Sequence, residues 1–211
     1  MSINPNISNL RHEILGVSVS LFAEAGYSGV SMRDIAKSVG VTPAALYYHF
    51  PDKQTLYVET VRFALDRNEN QIEKALATDG TPEERFMRFI KGYILLIHDD
   101  PDFRRLVQRE ILDTNAERQE LLFQTALKKE YCSLIEIVSQ IAPSVNAHVM
   151  AVTVITSVLY HFEMAPIKRM ASAQLEEPLP ITIAEHLGQI LLYGLKGNEG
   201  QNTNENSQTE T

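Results

Sequence analysis

Apolar residues recur along the chain at three- and four-residue spacing. Glycine and proline fall between the periodic segments, and no alternating pattern persists, which predicts an all-α chain. Residues 9–25 (NLRHEILGVSVSLFAEA) place Leu10, Ile14, Val17, Leu21 and Phe22 on one stripe that stops at Gly26. Ser31 opens SMRD, a serine followed three residues on by an acid, the capping-box pattern. The helix it starts is predicted to end near Val39, with Gly40 suited to the left-handed position beyond the last turn. Thr42 then caps a helix over 43–50, with Pro43 at its first position, where a missing N–H costs nothing. Asp52 caps a fourth helix, predicted to reach about Leu76.

Downstream, TPEE at 81–84 combines a threonine cap, a proline and first-turn acids, and that helix is predicted to end near His98. A short helix follows Asp100-Pro101, to about Asp113. One long helix is predicted from about Ala116 to Ala142, with Phe123, Leu127, Tyr131, Leu134, Val138 and Ile141 on a stripe. Pro143-Ser144 separates it from a helix at 145–165 that is apolar almost all round. The bend EEPLP leads to a last helix at 181–196. The tail GNEGQNTNENSQTET has no apolar residue and is predicted to be disordered. The expected organisation is a flexible arm at 1–8, a helix-turn-helix domain at 9–54, a larger helical domain at 55–196 and a disordered tail at 197–211.

The segment VTPAALYYHFPDK (41–53) is unusual for a core helix. At 100° per residue Leu46 and Phe50 share a face that can pack on Ile35, Ala36 and Val39. Ala44 and Tyr48 point the opposite way, with Ala45 beside them and Tyr47 on the flank. Two short helices joined by so tight a turn form a helix-turn-helix unit. Small residues at the entrance allow close approach to a major groove, and hydroxyls further along reach bases or phosphates. Covering the core is the alternative role for Tyr47 and Tyr48. For His49 it is locking a helix end.

Composition changes this picture only in part. The 211 residues carry a formal net charge of −8, which argues against a surface coated in phosphate-binding charge. In residues 1–55, however, Arg11, Arg33, Lys37 and Lys53 balance Glu13, Glu24, Asp34 and Asp52, so the acidic excess lies downstream. Helix starts offer N–H donors to phosphates, and Arg33 and Lys53 support them. The N-terminus lacks a signal-peptide pattern and no apolar run approaches membrane-spanning length, so a cytoplasmic protein without membrane contact is expected. Cys132 is the single cysteine and is read as a small buried hydrophobe.

The run EILGVSVSLFAEAGYSGVSMRDIAKSVGVTPAALYYHFPDKQTLYVETV resembles the DNA-binding domain of TetR-family transcriptional regulators. The matching features are IL…LF…GY at 14–27, SMRDIA at 31–36, GV at 40–41, LYYHF at 46–50 and DKQTL at 52–56. Gly16 and Ser18 depart from it, sitting where stronger helix formers are usual, and predict a weakened first helix. The resemblance implies an N-terminal three-helix DNA-binding domain followed by a helical ligand-binding and dimerisation domain. It also implies that helix 43–50 enters the major groove. Ser31, Arg33, Thr42, Tyr47, Tyr48, His49 and Lys53 would contact double-stranded operator DNA, and Pro43 and Ala44 join Thr42 and Tyr48 as candidates to touch base edges. A homodimer is expected, because two reading units fix half-site spacing. Its contact is expected in helices 145–165 and 181–196.

A polar line, Thr153, Ser157 and His161, interrupts the first of those helices, with Tyr160 and Met164 beside it. It reads either as the polar wall of an effector pocket or as groups that satisfy one another or backbone carbonyls. Phe103, Arg109, Glu110 and Tyr131 are further pocket candidates, with an Arg109–Glu110 ion pair as the alternative. His98-Asp99-Asp100 superficially suggests a metal site, but a helix end capped for Pro101 explains it more simply. The chain lacks HExxH, a phosphate-cradling glycine loop, a Cys/His nucleophile pair and a GxSxG elbow, so neither an enzyme nor a cofactor is expected. The expected function is a transcriptional repressor released from its operator by a small-molecule effector. The alternative is a helical carrier or interaction module with a vestigial DNA-binding unit.

Overall fold

The computed structural model describes residues 5–171 and 178–205, so residues 1–4 of the expected arm, 206–211 of the expected tail and Glu176-Glu177 of the EEPLP bend lie outside the described residues. All regular structure among the described residues is helical. The helices are α1 (Pro5–Gly29), α2 (Met32–Val39), α3 (Pro43–His49), α4 (Lys53–Asp66), α5 (Glu69–Ala75), α6 (Pro82–Asp99) and α7 (Pro101–Leu112). They continue with α8 (Ala116–Leu122), a π-helical turn (Phe123–Leu127), α9 (Lys128–Ile141), α10 (Ala147–His161), α11 (Ala165–Ala171) and α12 (Pro180–Glu205).

The described residues form two compact units. One holds 5–69 with 100–128; the other holds 70–99 with 129–171 and 178–205. In the first, α1 packs on α2, α4 and α7. Its core centres on Ile14, Phe22, Ile35, Leu46, Phe50, Leu56, Tyr57 and Phe103, all fully or almost fully buried. The helix α1 runs unbroken through Gly16 and the buried Ser18. It breaks at Gly26, where φ is 74° and ψ 172°. Of the sequence stripe, Ile14 and Phe22 are buried, whereas Val17 and Leu21 are half-exposed and Leu15 and Val19 take their place. In the second unit, α6, α10 and α12 pack on one another. Phe86, Ile90, Ile94, Ile97, Val154, Val158 and Leu195 fill the centre. Thr81 and Glu84 form a reciprocal cap on α6, each side chain accepting from the other's backbone N–H at 3.2 and 2.8 Å.

Four element expectations change. The helix begun at Asp52 ends at Asp66, because the Asn68 amide turns back to donate to the Ala64 carbonyl at 3.1 Å and α5 starts afresh. The helix predicted over 116–142 contains the π turn, which shifts the helical phase. Phe123 and Leu127 are accordingly half-exposed while Leu122 is buried. The predicted 145–165 helix ends at His161 and a separate α11 follows. Finally, α12 carries on to Glu205, so 197–205 of the expected disordered tail are helical.

Candidate nucleic-acid interface

The turn between α2 and α3 is set by three local devices. Ser31 and Asp34 form a reciprocal capping box: the Asp34 N–H donates to Ser31 Oγ at 3.2 Å and the Ser31 N–H donates to Asp34 Oδ2 at 2.9 Å. The Ser31 hydroxyl also donates to Asp34 Oδ2 at 2.5 Å. These bonds from Ser31 stabilise the Asp34 carboxylate and hold its pKa below the ordinary value. Gly40 has φ 82°, a left-handed conformation, and its N–H donates to Ala36 O at 3.0 Å while that of Val41 reaches the same carbonyl at 2.9 Å. Thr42 Oγ1 accepts from the Ala45 N–H at 3.2 Å, and Pro43 occupies the first helical turn.

These caps leave α3 seven residues long with two opposite faces. Leu46 and Phe50 have 0 % exposure, whereas Tyr48 is 76 % and Tyr47 50 % exposed. Ser31, Arg33, Thr42, Pro43 and Ala44 are exposed, and His49 is half-buried with its ring edge-on to Tyr48 at 5.4 Å. The core side is pinned by the Arg11 guanidinium, 4.8 Å from the Phe50 ring. Asp52 then caps α4 by accepting from the Thr55 N–H at 2.7 Å. That fixes Lys53 at the first position of α4, half-buried, with its Nζ 4.2 Å from the Tyr27 ring centroid.

The effector candidates are divided between the two compact units. Phe103, Arg109 and Glu110 belong to the first compact unit; Tyr131, Thr153, Ser157 and His161 belong to the second. The suggested Arg109–Glu110 ion pair is corrected. Arg109 Nε donates to the Ala23 carbonyl at 2.9 Å and its NH2 group donates to the Glu24 carbonyl, closing the end of α1. Glu110 instead accepts from the Tyr57 hydroxyl at 3.0 Å and from Arg118 Nε at 3.2 Å. Adjacent residues on a helix point about 100° apart, so they take different partners. Burial, assisted by the Glu110 charge, pushes the Tyr57 hydroxyl pKa far up. Arg118 pairs with Asp113 as well, at 2.6 Å, and these bonds outweigh the effect of burial, raising the guanidinium pKa. Phe103 is a core residue.

On α10, the Thr153 hydroxyl returns to the Val149 carbonyl at 3.0 Å and the residue is exposed, which is the self-satisfied alternative for that position. Ser157 and His161 are half-buried, and the His161 ring lies edge-on to Phe162 at 5.6 Å. The Tyr131 hydroxyl meets His148 Nδ1 at 3.3 Å. Cys132 is exposed, against the expected burial. Asp100 caps α7 by accepting from the Phe103 N–H at 2.9 Å, as a helix end requires. No metal-holding group of three or more His, Cys, Asp or Glu occurs among the described residues. A groove of about 740 Å³ lies in the first unit, lined among others by Arg11, His12, Arg62, Phe63, Arg67 and Thr125, and contains none of the effector candidates.

Residues 14–60 match the sequence profile of the bacterial regulatory proteins of the tetR family. The segment 14–60 is therefore similar to the tetR-family domain, and the chain spans less than two thirds of the curated relatives it matches. The chain is 30 % identical over 118 residues to IcaR of Staphylococcus aureus, a biofilm operon icaADBC HTH-type negative transcriptional regulator. The match covers 50 % of the chain and 63 % of IcaR. Two solved structures share the fold. AibR in complex with isovaleryl coenzyme A and operator DNA aligns with TM-score 0.68 at 22 % identity, over 86 % of this chain and 98 % of AibR. FadR from Bacillus subtilis in complex with stearoyl-CoA aligns with TM-score 0.67 at 18 % identity, over 86 % and 97 %. The TetR-family motif points to Tyr27, quoted in its GY pair. Nothing in the linear pattern marks Arg118, whose importance comes from tertiary neighbours.

Proposed function

We propose that the chain is a sequence-specific DNA-binding transcriptional regulator, acting in the cytoplasm as a repressor that a small-molecule effector releases from its operator. The observation that carries this reading is the polarity of α3: Tyr48 stands 76 % exposed beside exposed Thr42 and Ala44, while Leu46 and Phe50 are at 0 %. Tyrosines that merely covered the core would not stand so far into solvent. Ser31, Arg33, Thr42, Pro43, Ala44, Tyr47, Tyr48, His49 and Lys53 are the proposed DNA contacts. No catalytic role is assigned.

The region 55–196 is proposed to bind the effector and to dimerise. The helices α10 and α12 expose Val149, Val152, Ile190 and Tyr193, an apolar surface suited to a second copy of the chain. Operator reading by two α3 helices requires such a pairing, with half-sites about 34–36 Å apart. Tyr131, Ser157 and His161 are the side chains proposed to meet the effector. Acyl-coenzyme A thioesters are the class to test first, because AibR and FadR bind two of them. By linkage, an effector that weakens operator binding tenfold must bind the DNA-bound form tenfold less tightly, about 1.4 kcal/mol of coupling. No single helix among the described residues is long and apolar enough to cross a membrane.

A mobility-shift titration with a duplex selected by the chain from a random pool tests the reading. Tyr48→Ala is expected to abolish selective binding. Lys53→Ala should weaken all duplexes alike and lower the salt slope by about one. Equal binding by both variants and the parent chain would favour a helical carrier with a vestigial reading unit.

A further inference from the structure

The Tyr27 ring carries two cations. Lys53 Nζ and Arg118 Cζ each lie 4.2 Å from its centroid. The ring is itself held, edge-on to Tyr57 at 5.2 Å and stacked at 6.4 Å from Phe22. Arg118 has its counterions in Glu110 and Asp113. Lys53 has none: among the described residues no carboxylate lies within ion-pair distance of its ammonium. Burial, and then the charge of Arg118, hold the Lys53 pKa below the ordinary lysine range. A lysine is usually a mobile, strongly hydrated charge. Here the electron-rich ring face supplies attraction without neutralising it. The ammonium is therefore partly stripped of water, repelled by a neighbouring cation, and kept at the start of α4 just after the reading helix.

We propose that Tyr27 is a positioning residue for Lys53, its ring holding the ammonium within hydrogen-bond reach of the place that a DNA phosphate oxygen fills on binding. The inference rests on the reading of Lys53 as a backbone contact. Phosphate supplies the counterion that the fold withholds, and the lysine meets it already ordered. Arg118 shares the ring, so α8 bears on the same contact through Tyr27.

The test is a double-mutant cycle read by affinity and salt slope on a short duplex of random sequence, which suffices because a phosphate contact is independent of sequence. Lys53→Met should lower the affinity several-fold and the slope by about one. Tyr27→Leu should cost several-fold in the parent chain but less than about twofold in the Lys53→Met background. Tyr27→Phe, which keeps the ring, should restore the coupling. Pentafluorophenylalanine at position 27 keeps the shape but inverts the ring's charge distribution. It should behave like Tyr27→Leu, and it serves if the leucine variant fails to fold. Additive losses, or full affinity with the fluorinated ring, overturn the positioning role while leaving Lys53 as a contact. An unchanged slope in Lys53→Met removes the contact itself, and absence of any duplex binding by the parent chain removes the proposed function.

Discussion

Glu130, on α9, has its Oε2 atom buried with no hydrogen-bond partner among the described residues, and burial is the main influence that raises its pKa. A carboxyl whose folded pKa lies above its unfolded value holds its proton more tightly in the folded chain. Its ionised form therefore lowers stability at neutral pH, and that loss is recovered as pH falls through the folded pKa. Glu130→Gln should accordingly raise the Tm at pH 7 by about 1–2 °C, the charge being partly screened by solvent. Thermal melts across the acid range should show the gain shrinking toward low pH. A pH-independent gain would mean that lost charge is not its source. Nothing in KKEYCS announces this: local sequence gives a residue's helix position, and burial depends on what packs over it. The caps are the opposite case. Ser31 with Asp34, Thr42 with Pro43, Asp52 and Gly40 could all be read from the sequence because each acts on backbone groups within a few residues.

Among the elements, α3 shows how a short helix is sustained. Seven residues are too few for a helix to persist alone in water. It depends on the Thr42 cap and on Leu46 and Phe50, which seat it against the core. Leu46→Ala should cost about 2–5 kcal/mol in chemical denaturation, since the site is at 0 % exposure and a cavity would replace the side chain. The same periodicity that revealed this face failed elsewhere for definable reasons. The break after Asp66 depends on the Asn68 side chain bonding back to Ala64, and Asp100, far along the chain, accepts from Arg67 and Asn68 at 2.8 and 3.3 Å. The π turn at Phe123–Leu127 has no glycine or proline to mark it. The extension of α12 through Glu205 runs through residues whose polarity argued for coil.

For the whole molecule, the proposed regulator needs two copies to span an operator. The exposed apolar residues of α10 and α12 are the surface proposed to join them. Tyr193 is 77 % exposed and Val152 52 %. Tyr193→Glu would place a carboxylate in that contact. It should shift the chain toward monomer in sedimentation velocity and weaken operator binding, while leaving the melting temperature of the dilute chain nearly unchanged. A monomeric parent chain, or a variant that stays dimeric, would remove α12 from the contact. The apolar character of 145–165 was plain in the sequence, but which residues face inward was not: Ala151, Val154, Val158 and Leu159 turned to the core, and Val149 and Val152 did not.

The exposed face of α3 also bears on the thermodynamics of association. Proline, alanine, threonine and tyrosine make up most of it, and such side chains have few rotatable bonds to immobilise when a partner arrives. A reading surface built from lysine and arginine would lose about 2 kcal/mol of rotamer entropy for each side chain frozen. The proposed reading surface would meet a duplex with its shape largely settled, so that little disorder would be left to surrender at contact.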